Sequence, residues 1–337
     1  MYPLQQADWQ RLQQMRARLP HAILFHGAEG IGKVSFAERF ANALLCERPR
    51  NDGHACGECE SCGWFAHYAH PDYRRVRPEV LDTDTDSEAE PEEGTAKKSG
   101  KTPSKDIRIE QVRSLATFMN VSTHRSGVRV VLLYPAEALN GASANALLKT
   151  LEEPPPDTVF LLVTDRIDRL LPTILSRCRK FPLTAPDADL ALQWLEAQGV
   201  PQAARWLAEY GGAPLAALAA AQDADSSVRD ELLTFLALPD AGAALVVAER
   251  LQKSELAQLV AWQQRWLYDL LSLKLGARVR YFPHQQQALA KLAGRIPATQ
   301  LQQASRDADA RRAVADHPLS ARLFIEQMLL DYAGLFT

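Results

Sequence analysis

A glycine-rich turn near the N-terminus constrains the fold of this chain of 337 residues more than any other feature. The apolar run Ala22 to Phe25 precedes it, and the apolar positions of Val34 to Leu45, which follow it, suit a helix. Between them, residues Gly27 to Lys33 read GAEGIGK and match the G-x-x-x-x-G-K loop. Glycines let backbone N–H groups converge on phosphates at a helix N-terminus, and the lysine adds a positive charge. This order predicts a strand, a P-loop and a helix rather than a turn that only caps a helix.

The groups that a P-loop enzyme uses for hydrolysis are missing. The motif continues with Ser or Thr, which carries magnesium, but this chain has Val34. Hydrolysis also needs an acidic residue at the end of a second apolar strand. The strand predicted at Val130 to Leu133 ends instead in Tyr134-Pro135. We therefore expect no ATP hydrolysis, and at most weak binding of ATP or ADP at this loop.

The remaining elements place the loop in an α/β domain. The pattern predicts a helix containing Ile107 to Phe118, a strand Val128 to Leu133, a helix Ala142 to Glu153 and a strand Val159 to Val163. Three prolines at positions 154–156 end the third of these elements. Alternating strands and helices build a mostly parallel sheet with helices on both faces. From about Asp187 onward the sequence is rich in Ala, Leu and Gln, and we predict helices only.

Changes in composition predict three domains and one insertion. The α/β domain covers residues 1–184, a small helical domain covers 185–225, and a larger helical domain covers 226–337. The pair Gly211 and Gly212, followed by Pro214, marks a helix boundary. Residues from about 82 to 105 are dominated by Asp, Glu, Thr, Ser and Pro before turning Lys-rich, so we expect a disordered insertion. An apolar face of the larger helical domain, which we assign mostly to its own core, contains Leu251, Leu256, Leu259, Trp262, Trp266 and Leu270.

Four of the five cysteines lie close together in the sequence. Cys46, Cys56, Cys59 and Cys62 follow the spacing C-x9-C-x2-C-x2-C, within a module at 46–62. Four thiolates satisfy a tetrahedral Zn²⁺ ion and leave no open position, which is the arrangement of a structural site. A redox dithiol or an iron–sulfur cluster is less favoured, because nothing nearby resembles an electron-transfer partner. The spacing therefore predicts structural zinc.

Composition and charge exclude several classes of function. The formal net charge of -3 argues against nucleic-acid binding through a large basic surface. The longest apolar runs fall far short of the roughly 20 residues that a membrane span needs. The start of the chain, with Gln5, Gln6 and Asp8, lacks the pattern of a secretory signal, so we expect a cytoplasmic protein with reduced cysteines.

Three motifs resemble a known family. They are the segment Leu171 to Cys178, which reads LPTILSRC, the segment Asn145 to Pro155, which reads NALLKTLEEPP, and the cysteine insertion after the P-loop helix. Together they resemble the bacterial clamp loaders of the AAA+ class over roughly Tyr2 to Pro182. The resemblance implies a RecA-like AAA+ domain with a zinc module at 1–184, a helical lid at 185–225 and a helical collar at 226–337.

The resemblance also implies roles for single residues. In that family the arginine of S-R-C is a finger that reaches the γ-phosphate held by the next subunit, which implies this catalytic role, in trans, for Arg177. Such a guanidinium speeds phosphoryl transfer. Ser176 and Cys178 resemble positioning residues, and we expect Cys178 to be buried rather than a ligand. The family's second sensor is an arginine that is absent here. The implied nucleotide-binding residues, in a vestigial site, are Gly27, Gly30, Gly32, Lys33 and Thr164.

The combination of lost hydrolytic groups with a retained finger and zinc site resembles the clamp-loader subunits that do not hydrolyse ATP. It implies membership of the DNA polymerase III clamp-loader complex in DNA replication. The implied partners are gamma or tau subunits, the delta subunit, the sliding clamp and primed DNA. Two alternatives stay open: an active AAA+ ATPase, in which Glu137 and Ser35 replace the missing groups, and a zinc-ribbon module that binds nucleic acid.

Overall fold

The computed structural model describes residues 3–82, 103–124, 127–222, 226–315 and 320–336. By its internal contacts the chain divides into two compact units, Met1–Ala185 and Pro186–Thr337. The disordered insertion predicted at about 82–105 lies, from 83 to 102, outside the described residues.

A parallel sheet forms the centre of the first unit, as the sequence predicts, but it has five strands where the sequence predicted three. Its strands are β1 (Ala22–His26), β2 (Tyr73–Val76), β3 (Arg129–Leu133), β4 (Thr158–Thr164) and β5 (Arg179–Pro182), in the spatial order β2-β3-β4-β1-β5. The central strands β3 and β4 are buried along their whole length, which is usual for a parallel sheet covered on both faces. Strand β1 pairs with β4 so that His26 lies opposite Thr164. The strand that leads into the glycine-rich loop therefore ends beside the end of β4.

Six α-helices accompany this sheet in the described residues. They are α1 (Gln6–Met15), α2 (Lys33–Leu45), α3 (Glu60–Ala66), α4 (Ile109–Asn120), α5 (Gly141–Glu152) and α6 (Pro172–Arg177). The predicted helices correspond to α2, α4 and α5, with ends that differ by one or two residues. The Asn140 side chain accepts a hydrogen bond from Ser143 N and so caps α5, and proline at the first position of α6 favours its start.

The second unit is helical throughout its described residues. Its helices are α7 (Ala188–Ala197), α8 (Ala203–Glu209), α9 (Pro214–Gln222), α10 (Ser226–Ala237), α11 (Ala241–Leu251), α12 (Leu256–Lys274), α13 (Gln286–Arg295), α14 (Ala298–Val314) and α15 (Ala321–Ala333). Gly211 and Gly212 have positive φ between α8 and α9, where the helix boundary was predicted. One apolar cluster belongs to α7–α9 and their loops, and another to the helices that follow. The boundary between residues 225 and 226 stays a prediction.

The apolar face predicted around α12 is core. Its six residues, from Leu251 to Leu270, are all buried within the second unit. Trp266, fully buried, donates a hydrogen bond from Nε1 to the Tyr332 hydroxyl at 2.8 Å, and that hydroxyl donates to Leu236 O at 2.8 Å. Among the described helices, none combines the length and apolar character needed to cross a membrane.

Candidate functional site

The glycine-rich loop connects β1 to α2 at the carboxyl edge of the sheet. Gly27, Gly30 and Gly32 all have positive φ, at 152°, 74° and 91°. A Cβ atom at Gly27 would lie 2.2 Å from Leu183 O, so no other residue fits there without a shift of the backbone. These three glycines let the loop fold tightly over the N-terminus of α2, as the motif predicts.

Lys33 is turned into its own loop. Its side chain is buried, and Nζ donates hydrogen bonds to Gly27 O at 3.0 Å and to Ala28 O. Nζ also forms an ion pair with the Asp165 carboxylate. An ammonium group has three donors, and these three oxygens can occupy all of them. A phosphate in this loop would have to compete with them for the lysine.

Sequence reasoning missed Asp165. This residue directly follows Thr164, the last residue of β4, and β4 lies beside β1 in the sheet. The detectable signal is an acidic residue immediately after a central strand, because the carboxyl ends of neighbouring parallel strands lie at one edge. Thr164 itself, one of the implied nucleotide-binding residues, is fully buried, and its Oγ1 accepts a hydrogen bond from Arg166 N at 3.1 Å.

The end of β3 carries no acidic residue. Leu133 is followed by Tyr134 and a proline, and the Tyr134 hydroxyl accepts a hydrogen bond from Arg77 Nη1 at 3.2 Å. Glu137 lies in the short 3-10 helix Ala136–Ala138 just beyond, and its Oε1 accepts a hydrogen bond from Asp165 N at 3.0 Å. The Glu137 carboxylate therefore lies beside Asp165, at the carboxyl edge of the sheet.

Arg177, the predicted finger, is the last residue of α6 and its side chain is 32% exposed. Its Nη2 contacts Glu152 Oε1 at 2.5 Å, and its Nη1 donates to Thr173 O at 3.0 Å and to Ser176 Oγ at 3.3 Å. The ion pair of Arg177 with Glu152, the last residue of α5, was not predicted from the sequence. An ion pair this exposed contributes about 1 kcal/mol or less, so the guanidinium can exchange the carboxylate for another anion.

Cys178 follows Arg177 and is buried, as expected. Burial raises the pKa of its thiol to about 11, so the group is protonated at neutral pH. It does not belong to the cluster that the other four cysteines form. Its position between α6 and β5 fits a packing role.

The other four cysteines converge on one point. Their Sγ atoms all lie within 4.8 Å of one another. Cys46 Sγ lies 3.6 Å from Cys56 Sγ and 3.9 Å from Cys59 Sγ, and Cys56 Sγ lies 3.9 Å from Cys62 Sγ. A tetrahedral zinc ion with Zn–S bonds of about 2.3 Å sets its sulfurs about 3.8 Å apart. Three of the distances between the sulfurs are close to this value and the others lie within 4.8 Å, so the cluster could hold a metal ion.

Two helix ends and one tight turn bring these cysteines together. Cys46 directly follows α2, Cys59 caps the start of α3, and Cys62 lies in the first turn of α3. Cys56 comes from the loop between the helices, where Gly57 has a φ of 81°. The ends of two helices and the loop between them therefore set the spacing of the four sulfurs.

Backbone N–H groups point at the sulfurs. Glu58 N and Cys59 N lie 3.4 and 3.3 Å from Cys56 Sγ, and these hydrogen bonds lower the pKa of the Cys56 thiol to about 6. Burial instead raises the pKa of Cys46 and of Cys62. A dication would compensate for the burial by stabilising all four thiolates, since a coordinating thiol is deprotonated. The donor set therefore suits a structural metal ion.

Two of the aromatic side chains near the cluster are buried. The rings of Phe65 and Tyr73 pack 4.6 Å apart, and both side chains are buried. Tyr68 is more exposed, but the Arg75 guanidinium lies over its ring. The rings buried in the module are therefore not placed for stacking on bases.

We expect close to one zinc ion per chain when the protein is purified without chelators. Cys59→Ala should abolish binding because it removes one of four ligands, and Cys178→Ala, outside the cluster, should leave the zinc content unchanged. Elemental analysis of the folded proteins measures both. A folded parent protein that contains no zinc would contradict the assignment.

Comparisons with known proteins place the chain in a family. The sequence profile described as DNA polymerase III, delta subunit matches residues 4–187. DNA polymerase III subunit delta' of Pseudomonas aeruginosa is 44% identical over 221 residues, which cover 64% of this chain and 60% of that protein. The Yersinia pestis protein of the same name is 33% identical over 312 residues, covering 88% of this chain and 84% of that one.

Among solved structures, a DNA polymerase III gamma subunit-related protein of Thermotoga maritima aligns with 98% of this chain and all of that one, at 15% identity and a TM-score of 0.45. The matched region is less than two thirds of the length of the Pseudomonas relative, but more than two thirds of the Yersinia one. The profile match over more than half of the chain, and the long alignment at 33% identity, show that the chain belongs to the DNA polymerase III delta' family.

Proposed function

We propose that this chain is a subunit of the DNA polymerase III clamp loader that does not hydrolyse ATP and supplies Arg177 to the nucleotide of a neighbouring subunit. The observation that carries the proposal is the contrast between two cations. Lys33 is buried against its own loop and Asp165, whereas Arg177 is partly exposed at the end of α6.

The geometry at the loop supports the loss of hydrolysis. Binding of a γ-phosphate would require Lys33 to leave Asp165, and no hydroxyl is available at Val34 to hold magnesium. Strand β3 ends without the acidic residue that would be the second magnesium ligand. Glu137 is the remaining candidate for that role, and its Oε1 is hydrogen-bonded to Asp165 N. These features favour a vestigial site over the alternative of an active ATPase.

The placement of Arg177 supports a role in trans. The guanidinium is held at the surface by three oxygens, and Ser176 contributes one of them. An arginine directed at the charge that develops on a transferring phosphoryl group stabilises the transition state. Within the proposal, residues 1–184 form the AAA+ domain, 185–225 a helical lid and 226–337 a collar.

The proposed partners follow from the clamp-loader resemblance and from membership of the delta' family. We propose assembly in the cytoplasm with gamma or tau and delta subunits into a ring that acts on the sliding clamp and primed DNA. The zinc module then has a structural role. Co-purification of the tagged chain with gamma or tau and delta subunits, followed by clamp loading in vitro with and without the chain, tests this proposal. Loading that proceeds equally without the chain would refute it.

The isolated chain should show no ATPase activity above background, because its loop lacks the magnesium hydroxyl and the acidic strand end. Lys33→Ala should leave that background unchanged. A coupled assay that follows phosphate release from the purified chain measures the rate. Robust turnover abolished by Lys33→Ala would show that the chain is an active ATPase.

A further inference from the structure

A series of buried hydrogen bonds lies beside the cysteine cluster. Ser61 lies in α3 between two of the cysteines and is fully buried, and its Oγ donates to Leu45 O at 2.6 Å. His70, also fully buried, has Nε2 at 2.9 Å from that same Oγ. On its other side, His70 Nδ1 accepts a hydrogen bond from Asp72 N at 3.0 Å. These hydrogen bonds thus connect the last residue of α2 with Asp72, the residue before β2.

The partners fix the direction of every bond. The Asp72 backbone N–H can only donate, so Nδ1 of His70 carries no proton. The Leu45 carbonyl can only accept, so the Ser61 hydroxyl donates to it. Nε2 of His70 must therefore carry the proton and donate to Ser61 Oγ. His70 is a neutral ring with its proton on Nε2.

This direction excludes nucleophilic catalysis by Ser61. An activated serine donates its proton to the histidine. Here the histidine donates to the serine, and the serine donates to a backbone carbonyl. Both side chains are also fully buried. The pair is therefore not an active site.

The position of the Leu45 carbonyl indicates what the pair does. Leu45 is the last residue of α2, where carbonyl groups lack intrahelical partners, and its carbonyl belongs to the peptide that leads into Cys46. Ser61 lies between Cys59 and Cys62 on α3. The bond from Ser61 to Leu45 O therefore connects the two parts of the ligand set.

We propose that Ser61 and His70 are positioning residues of the metal centre, which hold Cys46 at ligand distance from Cys59 and Cys62 and so raise the affinity for zinc. Groups that orient metal ligands from outside the coordination shell typically change affinity by about 10- to 100-fold. The hydrogen bond from Asp72 N holds the His70 ring in place. The Asp72 carboxylate in turn accepts hydrogen bonds from His124 N, at 3.1 Å to one oxygen and 3.0 Å to the other. This inference does not rest on the proposed function.

Ser61→Ala in the full-length chain should lower zinc affinity by about tenfold or more. Competition of the protein with a chromophoric chelator for Zn²⁺ measures the affinity. Ser143→Ala is the matched control, because Ser143 is also fully buried and its Oγ donates to a backbone carbonyl, Asn140 O, at 3.0 Å. We expect the control to bind zinc as the parent does. Equal affinities of Ser61→Ala and the parent would overturn the proposal.

Two substitutions of His70 separate positioning from packing. His70→Gln places an amide donor near the site of Nε2 and can keep the bond to Ser61. His70→Asn places an acceptor near the site of Nδ1 and keeps only the bond from Asp72 N. We expect the glutamine variant to remain within about threefold of the parent and the asparagine variant to lose as much affinity as Ser61→Ala. Equal losses in both variants would show a packing role and overturn the proposal.

The parent protein provides a readout that needs no variant. ¹⁵N chemical shifts of the His70 ring should report a neutral ring with the proton on Nε2. A proton on Nδ1 would reverse the direction of the hydrogen bonds and overturn the proposal.

Discussion

Replacing Arg177 by alanine should slow hydrolysis at one nucleotide site of an assembled clamp loader by about three orders of magnitude. The expected loss is large because the guanidinium would stabilise the charge that develops on the transferring phosphoryl group. A single-turnover measurement of DNA-stimulated ATP hydrolysis detects the effect. The fast phase should lose the amplitude of one site, and the other sites should keep their rates.

Two variants control this experiment. Arg179→Ala removes an exposed arginine only two residues further along the chain, on β5, and should keep the full amplitude. Arg177→Lys keeps the charge but loses the planar fork of donors, so we expect a partial loss. Assembly of each variant with its partners has to be verified first by co-purification. A full fast-phase amplitude with Arg177→Ala would remove the proposed finger and leave assembly as the role of the chain.

The features that the sequence predicted correctly are local. The P-loop, the helices α2, α4 and α5 and the central strands follow from spacings within about 15 residues, where periodicity and glycine chemistry decide the conformation. The cysteine cluster is also local, since its members lie between residues 46 and 62. Each of these segments carries its own structural signal.

The edge strands and α1 were missed because their patterns are weak. Strand β5 buries only Phe181 among its four residues, and β2 buries only its two ends. Edge strands of this kind carry charged side chains that hide the apolar pattern. Helix α1 is mostly polar and buries three residues, one of them Asp8. Short elements with few buried positions give little periodicity to read.

Contacts between distant segments could not be predicted at all. The ion pair of Lys33 with Asp165 depends on β1 lying beside β4, and the spatial order of strands cannot be read from one amino-acid sequence. The pairing of Arg177 with Glu152 depends in the same way on how α5 and α6 meet. The residues of both pairs lie in or beside segments whose structure the sequence predicts, but their contacts depend on the tertiary fold.

The second unit contains a buried cluster of charged side chains, which also come from distant segments. Glu209, at the end of α8, is fully buried, and its Oε1 accepts a hydrogen bond from Arg205 Nε at 2.9 Å and lies 3.6 Å from His284 Nε2. Its Oε2 accepts from Nη1 of Arg229 in α10 at 3.2 Å. The Arg229 guanidinium is also buried and lies 4.1 Å over the Trp206 ring. One carboxylate thus joins three segments of the helical unit.

Glu209→Gln should lower the free energy of unfolding of the helical unit by about 1.5 to 3 kcal/mol. The reason is that Arg229, which stays buried, would lose one of its two carboxylate partners and keep only the exposed Asp230, at 2.8 Å. Urea denaturation of the full chain, followed by far-ultraviolet circular dichroism, measures the change. The zinc content, checked in parallel, should not change, because the cysteines lie in the other unit.

An exposed ion pair of the same unit provides the control for Glu209→Gln. Glu231 pairs with Arg250, whose side chain is 66% exposed, so Glu231→Gln should cost about 1 kcal/mol or less. Replacing both members of the buried pair, with Glu209→Leu and Arg229→Met, should cost less than Glu209→Gln alone, because the buried cation is then removed together with its buried partner. Equal costs for Glu209→Gln and Glu231→Gln would mean that Asp230 suffices for Arg229 and that Glu209 does not stabilise the fold.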